Sequence, residues 1–478
     1  MTHANFIGGE WTKSSDTSRN INPSDTNDLV GEYCRADVGQ VDSAIASARA
    51  AFPKWSRSSP QLRADILDKV GTEIHARRAE LADLLAREEG KILNEAMGEV
   101  TRAGYIFKYF AAEAVRAGGE YLHSIRPDVE VEVSREPVGV IGVLTPWNFP
   151  IAIPSWKIAP ALAYGNCVVF KPADLVPGSS WGLAEILSRA GLPAGVFNLV
   201  MGQGTVVGDA IVNHDGIDAV TFTGSVKTGQ SILQACARRG VKVQLELGGK
   251  NPLIVLNDAD LETAVRVALD GAYFSTGQRC TASSRLIVES DIHDRFVAGL
   301  SKALGQQIVD DARKPGTTIG PVVNATQLNQ DKEYIEIGKK EGATLAFGGE
   351  AIQRSTPGFY LAPTLFTDSR NEQRINQEEI FGPVASVIRV SGYEEALQTA
   401  NATRFGLCAG IVTSSLKYAR HFQRNADVGM VMVNLPTAGV DYHVPFGGRK
   451  ESSFGPKEQG QSAREFFTQS KTTYIKAT

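Results

Sequence analysis

The amino-acid sequence predicts an α/β protein with two doubly wound, mostly parallel sheets. Short apolar runs alternate with helical segments from Glu136 to Leu247, and a second alternating region starts near residue 253. The chain has 478 residues, enough for more than one domain at about 150 residues each. Because strands that alternate with helices pair in parallel, each region predicts a sheet covered by helices on both faces.

The first 120 residues predict helices after a short strand-and-turn opening. Apolar residues recur every three or four positions from Val41 to Trp55, which is the spacing of one helical face. A second helix is expected near residues 59–87. This mainly helical part of the chain therefore comes before the first alternating region.

Apolar runs predict the strands of both sheets. In the first region they are VGVIGVLT at 138–145, CVVFK at 167–171, VFNLV at 196–200 and AVTF at 219–222, with helical segments starting around Ser179, Val206 and Val226. In the second region they are LIVL at 253–256 and RLIVE at 285–289, with helices from Asp260 and near 291–306 and 326–341. The alternating segment from Thr468 to Ala477 predicts an edge strand available to another subunit.

Charge and cysteine usage exclude several function classes. The 49 Lys and Arg residues against 53 Asp and Glu leave a net charge of -4, with no run of five like charges. This balance argues against nucleic-acid or anionic-membrane partners and favours a small-molecule substrate. The five cysteines are an odd number without C-x-x-C spacing, which argues against a disulfide framework and a zinc site and indicates a cytoplasmic protein. The start, MTHANFIGGEW, predicts no targeting segment.

One uncharged stretch has the length of a membrane span. It runs over 20 residues from Pro137 to Trp156. Four prolines within it, at 137, 146, 150 and 154, argue against a membrane helix because each removes a helical hydrogen bond. The stretch is predicted to be a buried strand followed by a functional loop.

Two glycine-containing turns are candidates for binding a dinucleotide. The segment Gly202–Gly208 nearly matches the dinucleotide fingerprint, but its third glycine falls one position late, and a plain strand-to-helix turn is the favoured interpretation. At 222–229 a strand ends in a Gly–Ser turn before a helix, where a pyrophosphate could dock on Ser225 and the amides behind it. A simple N-cap role for Ser225 stays open. Lys227 lacks the Walker spacing, which excludes an ATPase P-loop.

Cys280 is the candidate nucleophile among the five cysteines. It lies in the polar turn STGQRCT at 275–281, beside Arg279, where a cation and free amides could stabilise a thiolate. The other interpretation is a small buried side chain, the commonest role of a lone cysteine.

Glu246 and Asn148 are the other candidates for chemistry. Glu246 lies in an apolar strand before a double glycine, and a buried carboxylate with a raised pKa is a good general base. An ion pair with Lys242 or Lys250 is the alternative. Asn148, in TPWNFP at the end of the strand, could donate to an oxyanion or simply form the turn.

Seven segments together resemble the NAD(P)-dependent aldehyde dehydrogenase superfamily over essentially the whole chain. They are PWNFP at 146–150, KPAD at 171–174, FTGS at 222–225, ELGGKNP at 246–252, GQRC at 277–280, EEIFGPV at 378–384 and PFGG at 445–448. The resemblance implies a cofactor-binding domain of residues 1–120 and 138–247 and a catalytic domain of residues 248–445. It also implies a small β oligomerisation arm of residues 121–137 and 460–478, and a homodimer or homotetramer.

The same resemblance implies roles for individual residues. Cys280 is the nucleophile, Glu246 the general base and Asn148 an oxyanion donor together with the Cys280 backbone N–H. The residues implied to bind NAD or NADP are Trp147, Lys171, Asp174, Gly224, Ser225, Glu379 and Phe381. Among them, Lys171 and Asp174 are assigned to the adenosine ribose side, Gly224 and Ser225 to the pyrophosphate, and Glu379 and Phe381 to the nicotinamide ribose and ring. Asp174 is shorter than the family's usual Glu, so the choice between NAD and NADP stays open.

The carboxyl end indicates the substrate class. The segment GGRKESSFGPKEQG departs from the commoner pattern, with Ser453 in place of Gly and Pro456 in place of Arg. It is similar to the subgroup that oxidises 2-oxoglutarate semialdehyde (2,5-dioxopentanoate). Arg279 is then expected to bind a substrate carboxylate, with a surface or thiolate-tuning role as the alternative. Phe149 and Trp156 are expected to wall the substrate tunnel or to pack in the core.

Other activities compete with this one. Succinate semialdehyde, betaine aldehyde and aliphatic aldehydes are alternative substrates. A CoA-acylating member is disfavoured by the presence of Glu246, and a non-catalytic NAD(P)-binding relative by the intact set Cys280, Glu246 and Asn148.

Overall fold

The computed structural model describes residues 2–116 and 118–476 and shows the predicted alternation of strands and helices. The strands in chain order are β1 Thr2–His3, β2 Asn5–Ile7, β3 Glu10–Thr12, β4 Asp16–Ile21, β5 Leu29–Arg35, β6 Glu120–His123, β7 Val129–Pro137, β8 Val140–Leu144, β9 Cys167–Lys171, β10 Phe197–Leu199, β11 Ala219–Thr223, β12 Lys242–Glu246, β13 Asn251–Val255, β14 Ser283–Glu289, β15 Thr344–Phe347, β16 Thr364–Thr367, β17 Val384–Val390, β18 Phe405–Gly406, β19 Cys408–Val412, β20 Met430–Val433, β21 Arg449–Lys450, β22 Ser453–Phe454 and β23 Thr468–Lys476.

The helices cover the sheets. They are α1 Val38–Trp55, α2 Pro60–Ala76, α3 Arg78–Glu89, α4 Leu93–Arg116, α5 Ala152–Ala163, α6 Pro177–Arg189, α7 Asp209–Asn213, α8 Val226–Arg239, α9 Leu261–Tyr273, α10 Ser290–Leu304, α11 Ala325–Lys340, α12 Arg374–Gln377, α13 Tyr393–Asn401, α14 Leu416–Asn425 and α15 Arg464–Phe467. A π-helical turn, Gly204–Gly208, precedes α7.

The first sheet has the order β22-β12-β11-β8-β9-β10-β2-β3. Its five central strands, from β12 to β10, are parallel, and the flanking strands are antiparallel. The chain adds strands on one side of β8 and then crosses to β11 on its other side. Ligands of doubly wound sheets bind at the carboxyl ends of the strands at such a reversal.

The second sheet has the order β15-β16-β17-β14-β13-β19-β20 and is parallel except for β15. Its central strands are buried on both faces, as parallel strands between helices must be. Separate apolar clusters fill its two faces, whereas one large cluster surrounds the first sheet. The predicted α/β class with two doubly wound sheets is confirmed.

A third, antiparallel sheet of order β23-β7-β6 projects from the two larger sheets. Residues 468–476 of β23 pair with residues 129–137 of β7, and most of β23 is exposed. The predicted carboxyl-terminal strand is therefore present up to Lys476, while Ala477 and the last residue of the predicted arm lie outside the described residues. The free edge of β23 is available for pairing.

Two local predictions are wrong. The helix predicted near 59–87 is two helices, because the chain turns at Arg77 so that both α2 and α3 pack against α4. The loop predicted after β8 is partly helix, since α5 begins at Ala152 and includes Trp156. Pro154 lies in the first turn of α5, where a helix does not use the backbone N–H that proline lacks.

Among the described residues, no helix is both long and apolar enough to cross a membrane.

Candidate active site

A cavity of about 550 Å³ lies beside the carboxyl ends of the first sheet and contains the predicted nucleophile. Its wall includes Cys280, residues of α4 and α5, and the segment around Gly439 and Val440. Asn148 follows β8, Glu246 ends β12, and Cys280 precedes β14 and lines the cavity. Asn148 contacts the turn that carries Cys280, and the charge of Glu246 acts on the Cys280 thiol, so three distant parts of the sequence come together. The fold therefore brings the predicted catalytic residues to one edge of the sheets.

The turn that carries Cys280 is strained. Ser275 and Thr276 have φ values of 50° and 56°, in the left-handed region that non-glycine residues avoid. Gly277 has φ 68°, and a Cβ at this position would clash with the carbonyl oxygen of Gly382. The Ser275 backbone N–H donates to Glu95 Oε1 at 2.9 Å. This contact from α4 holds the strained turn in place.

The Cys280 thiol is strongly disposed to keep its proton. Burial raises its pKa to about 12, and the negative charges of Glu379 and Glu246 act in the same direction. Arg279 lowers the pKa of the thiol, as the sequence predicts, but burial outweighs it. The backbone hydrogen bond to the Cys280 sulfur also lowers this pKa, so a cation and an amide favour the thiolate as predicted, but their combined effect is smaller than that of burial.

Asn148 is fixed against the turn that carries Cys280. Its side chain is 3% exposed, and its Nδ2 donates to the Gln278 carbonyl oxygen at 3.0 Å. Its backbone oxygen accepts from Lys91 Nζ at 2.6 Å. The amide contacts a segment 130 residues away rather than its own turn, which disfavours a purely local role.

Glu246 is a buried carboxyl group at the end of β12. Ser453 Oγ donates to its Oε2 at 2.5 Å, while Oε1 has no hydrogen-bond partner among the described residues. Burial raises the pKa of Glu246 well above its usual range, and the negative charge of Glu458 raises it further. A buried carboxyl group with a raised pKa is suited to accept a proton near neutral pH.

The ion pair that the sequence offered as an alternative for Glu246 is absent among the described residues. Lys242 Nζ donates to the backbone oxygens of Glu465 and Thr468 at 2.5 and 3.0 Å. Lys250 Nζ is buried without a hydrogen-bond partner in the described part of the chain, and burial lowers its pKa to about 7.

The predicted ribose-side residues lie at the end of β9. Lys171 is buried, its pKa is lowered by burial to about 8, and its Nζ donates to the Pro172 carbonyl oxygen at 2.7 Å. Asp174 accepts two hydrogen bonds from Arg35, at 3.2 and 2.7 Å. The Arg35 guanidinium therefore lies beside Asp174, the acidic residue predicted on the ribose side of the cofactor.

The predicted pyrophosphate and nicotinamide residues occupy neighbouring positions. Ser225 is the exposed N-cap of α8 and accepts from the Thr228 backbone N–H at 3.3 Å, so the N-cap role left open by the sequence is present. Glu379 Oε1 accepts from the Gly249 backbone N–H at 3.0 Å. Trp147 and Phe381 form an edge-to-face pair with ring centroids 5.4 Å apart.

The donor set at this edge of the first sheet fits a dinucleotide. The hydroxyl oxygens of Thr145 and Thr223 are buried without a hydrogen-bond partner among the described residues, at the ends of β8 and β11. Gly224 follows Thr223 directly and opens the exposed N-terminus of α8, whose free amides and dipole favour phosphate. Gly202 has φ 140°, a backbone conformation that favours glycine. The segment that follows it passes close to Lys171, because a Cβ added at Gly208 would contact the Lys171 side chain.

The predicted substrate residues line the cavity. Arg279 Nη2 donates to the backbone oxygens of Asp270 and Gly271 at 2.8 and 3.0 Å. Phe149 lies with its ring centroid 3.9 Å from Lys91 Nζ, and the Trp156 ring packs 5.3 Å from the Phe446 ring. The aromatic side chains of Phe149 and Trp156 both line the cavity and also pack against the core of the first sheet, and their contact with substrate stays a prediction.

Sequence reasoning missed the polar residues that α4 contributes. Glu95, Glu99 and Arg102 lie four and three residues apart and line the cavity together. Lys91 Nζ pairs with Glu99 at 2.7 Å, and Glu99 also accepts from the backbone of residues 151 and 152. The sequence signal for these residues is their spacing of three and four positions, which places charged side chains on the otherwise apolar face of a helix.

Known proteins match the chain over nearly its full length. The aldehyde dehydrogenase family model matches residues 11–473. Alpha-ketoglutaric semialdehyde dehydrogenase of Bacillus subtilis (strain 168) is 44% identical, with 99% of this chain and 98% of the relative covered. 2,5-Dioxopentanoate dehydrogenase of Saccharolobus solfataricus is 41% identical, with 98% of each covered. A crystal structure of betaine aldehyde dehydrogenase from Staphylococcus aureus in complex with NAD+ has a TM-score of 0.97 at 34% identity, covering 99% of this chain and 95% of that one.

Since the family model and both relatives span nearly all of the sequence, the chain belongs to the aldehyde dehydrogenase family and is an NAD(P)-dependent aldehyde dehydrogenase, as its motifs predict.

Proposed function

We propose that this enzyme oxidises 2-oxoglutarate semialdehyde, or another short dicarboxylic semialdehyde, to the carboxylate. The observation that carries the proposal is the pair of arginines, Arg102 and Arg279, in the wall of the cavity that contains Cys280. The same wall contains Glu95, Glu99 and Asp270, but Glu99 is paired with Lys91, and burial raises the pKa of Glu95 and of Asp270. The two guanidinium groups therefore favour an aldehyde that bears a carboxylate. The names of the two relatives support the same substrate.

The reaction begins with addition of the Cys280 thiol to the aldehyde carbon. The thiol releases its proton to solvent as the carbon–sulfur bond forms, because its raised pKa leaves little thiolate beforehand. Negative charge moves to the aldehyde oxygen, which accepts hydrogen bonds from Asn148 Nδ2 and the Cys280 backbone N–H. The Asn148 amide is already held at the turn that carries Cys280, so little reorganisation is needed.

The resulting tetrahedral thiohemiacetal carries a hydride that the free aldehyde cannot release easily. A bound NAD or NADP would supply the hydride acceptor here, and loss of the hydride would leave a thioester on Cys280. We assign the cofactor to Lys171 and Asp174 on the ribose side, to Gly224 and Ser225 at the pyrophosphate, and to Trp147, Glu379 and Phe381 around the nicotinamide. NADP is acceptable because Arg35 stands beside Asp174 and offsets its charge.

Glu246 completes the reaction as the general base. It takes a proton from water, which attacks the thioester and releases the carboxylate and the Cys280 thiol. The raised pKa of Glu246 makes it a stronger base than an exposed carboxylate. A base in this position favours water over CoA as the acceptor of the acyl group.

Betaine aldehyde is the second candidate substrate. The aromatic rings of Phe149, Trp156 and Phe446 in the cavity wall favour a quaternary ammonium group through cation–π attraction. Arg102 and Arg279 repel it, and the aromatic wall also accommodates the apolar chain of an aliphatic aldehyde. We therefore rank cationic aldehydes below dicarboxylic semialdehydes.

A substrate panel tests the proposal. We expect kcat/KM for 2,5-dioxopentanoate to exceed the values for succinate semialdehyde, glycolaldehyde and betaine aldehyde, measured with NAD and with NADP. A preference for betaine aldehyde over both semialdehydes would overturn the substrate assignment.

We also propose a homodimer or homotetramer that assembles through the exposed edge of β23. Light scattering coupled to gel filtration tests this assembly, and a monomeric mass at micromolar concentration contradicts it. A cytoplasmic location is proposed because the five cysteines are all free.

A further inference from the structure

Arg102 is a cavity arginine whose hydrogen bonding is incomplete. Its Nη2 donates to Gln459 Oε1 at 2.9 Å, and its guanidinium carbon lies 5.4 Å from the centroid of the Trp156 ring. Its Nε is enclosed and has no hydrogen-bond partner among the described residues. No carboxylate oxygen of the described residues lies within ion-pair distance of its nitrogens. A cation enclosed in this way favours an anionic ligand.

The second cavity arginine is bound more completely by the protein. Arg279 Nη2 donates both of its hydrogens to backbone carbonyls, and its guanidinium packs 4.7 Å from the Phe274 ring centroid. These contacts tie Arg279 to the end of α9 and to the turn that carries Cys280. The Nε of each arginine is buried without a hydrogen-bond partner among the described residues. Arg102 has one neutral acceptor where Arg279 has two, so Arg102 has more donors left for a substrate.

Gln459 explains why Arg102 is held in this position. Gln459 is fully buried and adopts φ 61°, a left-handed conformation that is costly for a glutamine. Its side-chain oxygen accepts from Arg102, whereas its Nε2 has no partner among the described residues. It belongs to the carboxyl-terminal segment that departs from the commoner family pattern. A neutral amide at this point orients the guanidinium without cancelling its charge.

Arg102 is positively charged at neutral pH. Burial lowers its pKa to about 10, while the negative charges of Glu99, Asp441 and Cys280 act in the opposite direction. Arg102 and Cys280 line the same cavity, so one bound molecule can reach both.

We propose that Arg102, positioned by Gln459, is the residue that binds the distal carboxylate of the semialdehyde. The inference rests on the proposed function, because it assumes a substrate with an aldehyde at one end and a carboxylate at the other. The guanidinium donates to the carboxylate while the aldehyde carbon lies at the Cys280 thiol. Arg279 serves mainly as an anchor of the turn and adds positive charge to the cavity.

The test compares Arg102→Leu and Arg102→Lys with Arg116→Leu, a control at the exposed end of the same helix. The measured quantity is kcat/KM for 2,5-dioxopentanoate divided by kcat/KM for pentanal. We expect this ratio to fall about 10- to 100-fold in Arg102→Leu, mainly through KM, and by less in Arg102→Lys. The ratio for Arg116→Leu should equal that of the wild type.

A binding measurement separates failure of this inference from failure of the proposed function. Isothermal titration of the unreacted enzyme with 2-oxoglutarate, the reaction product, is expected to show binding that Arg102→Leu weakens at least tenfold. If the wild type prefers pentanal, the proposed substrate is wrong. The wild type can instead prefer the semialdehyde while both Arg102 variants show the wild-type substrate ratio and the wild-type affinity for 2-oxoglutarate. In that case Arg102 is not the residue that binds the carboxylate.

Thermal unfolding of each variant guards against a folding defect. If Arg102→Leu unfolds at the assay temperature, the substrate ratios of Arg102→Lys and Gln459→Glu test the proposal in its place. Gln459→Glu gives Arg102 a carboxylate partner and is expected to lower the substrate ratio about tenfold or more. A ratio that stays at the wild-type value in both variants overturns the proposal.

Discussion

The hydrogen bond from Ser453 to Glu246 predicts a measurable change in the pH dependence of turnover. The Ser453 hydroxyl oxygen accepts from the Gly448 backbone N–H at 2.6 Å, which leaves its own hydrogen directed at Glu246 Oε2, 2.5 Å away. This hydrogen bond lowers the pKa of Glu246 against the larger effects of burial and of Glu458. Ser453→Ala removes it without adding volume.

The magnitude follows from the charge that the hydrogen bond stabilises. A hydrogen bond to a charged group contributes about 1.5–3 kcal/mol, and one pKa unit corresponds to about 1.4 kcal/mol. The pKa of Glu246 should therefore rise by about one to two units in Ser453→Ala. Because the base works only when deprotonated, the acidic limb of kcat should move to higher pH by the same amount.

The assay is kcat against pH, with single-turnover measurement of NAD(P)H release to separate hydride transfer from thioester hydrolysis. Below the limb, we expect hydrolysis in Ser453→Ala to be about 10- to 100-fold slower than in the wild type. Ser452→Ala is the matched control, since the Ser452 hydroxyl bonds to the Gly406 backbone instead. A uniform loss of rate at every pH, with the limb unmoved, would refute the assigned role of the Ser453 hydroxyl.

Three further predictions concern the residues around the nucleophile. Cys280→Ala should abolish NAD(P)H formation while the variant still binds NADH, which fluorescence titration can follow; residual steady-state activity would contradict the nucleophile assignment. Asn148→Ala should lower kcat about 10²- to 10³-fold, the usual effect of losing an oxyanion donor, and an unchanged kcat would exclude that role. Glu95, whose pKa burial raises to about 7, should make the enzyme less stable as pH rises from about 4.5 to 7, because the unfolded state releases the proton first. Glu95→Gln should remove up to about 3 kcal/mol of that pH dependence, seen as a smaller change in thermal midpoint between pH 5 and pH 8.

Local patterns in the sequence were sufficient to predict most strands and helices. The run CVVFK became β9 with the predicted bounds, and Asp260 became the N-cap of α9, because β-branched runs and capping residues act over a few positions. The start of α5 was missed, since four prolines hide a helix whose first turn tolerates Pro154. The break at Arg77 carries no Gly or Pro and follows from packing against α4.

Contacts between distant segments could not be predicted from such patterns. Ser453 reaches Glu246 across 207 residues, and Gln459 reaches Arg102 across 357. No periodicity connects positions so far apart, and only the family resemblance placed Cys280, Glu246 and Asn148 together beforehand. The raised pKa of the Cys280 thiol depends on burial, which the polar residues around it in the sequence concealed.

Helix α4 contributes polar residues from successive turns to the cavity wall. Glu95 supports the turn of the nucleophile, and Arg102 lies seven residues further along, a rise of about 10 Å in an α-helix. If Arg102 binds the distal carboxylate as proposed, helical geometry rather than a loop sets the position of that contact relative to the turn of the nucleophile. Changes in the segment 436–443 can reshape the side wall between relatives, but the permitted chain length of the aldehyde should persist as long as this helix keeps its two turns between those residues.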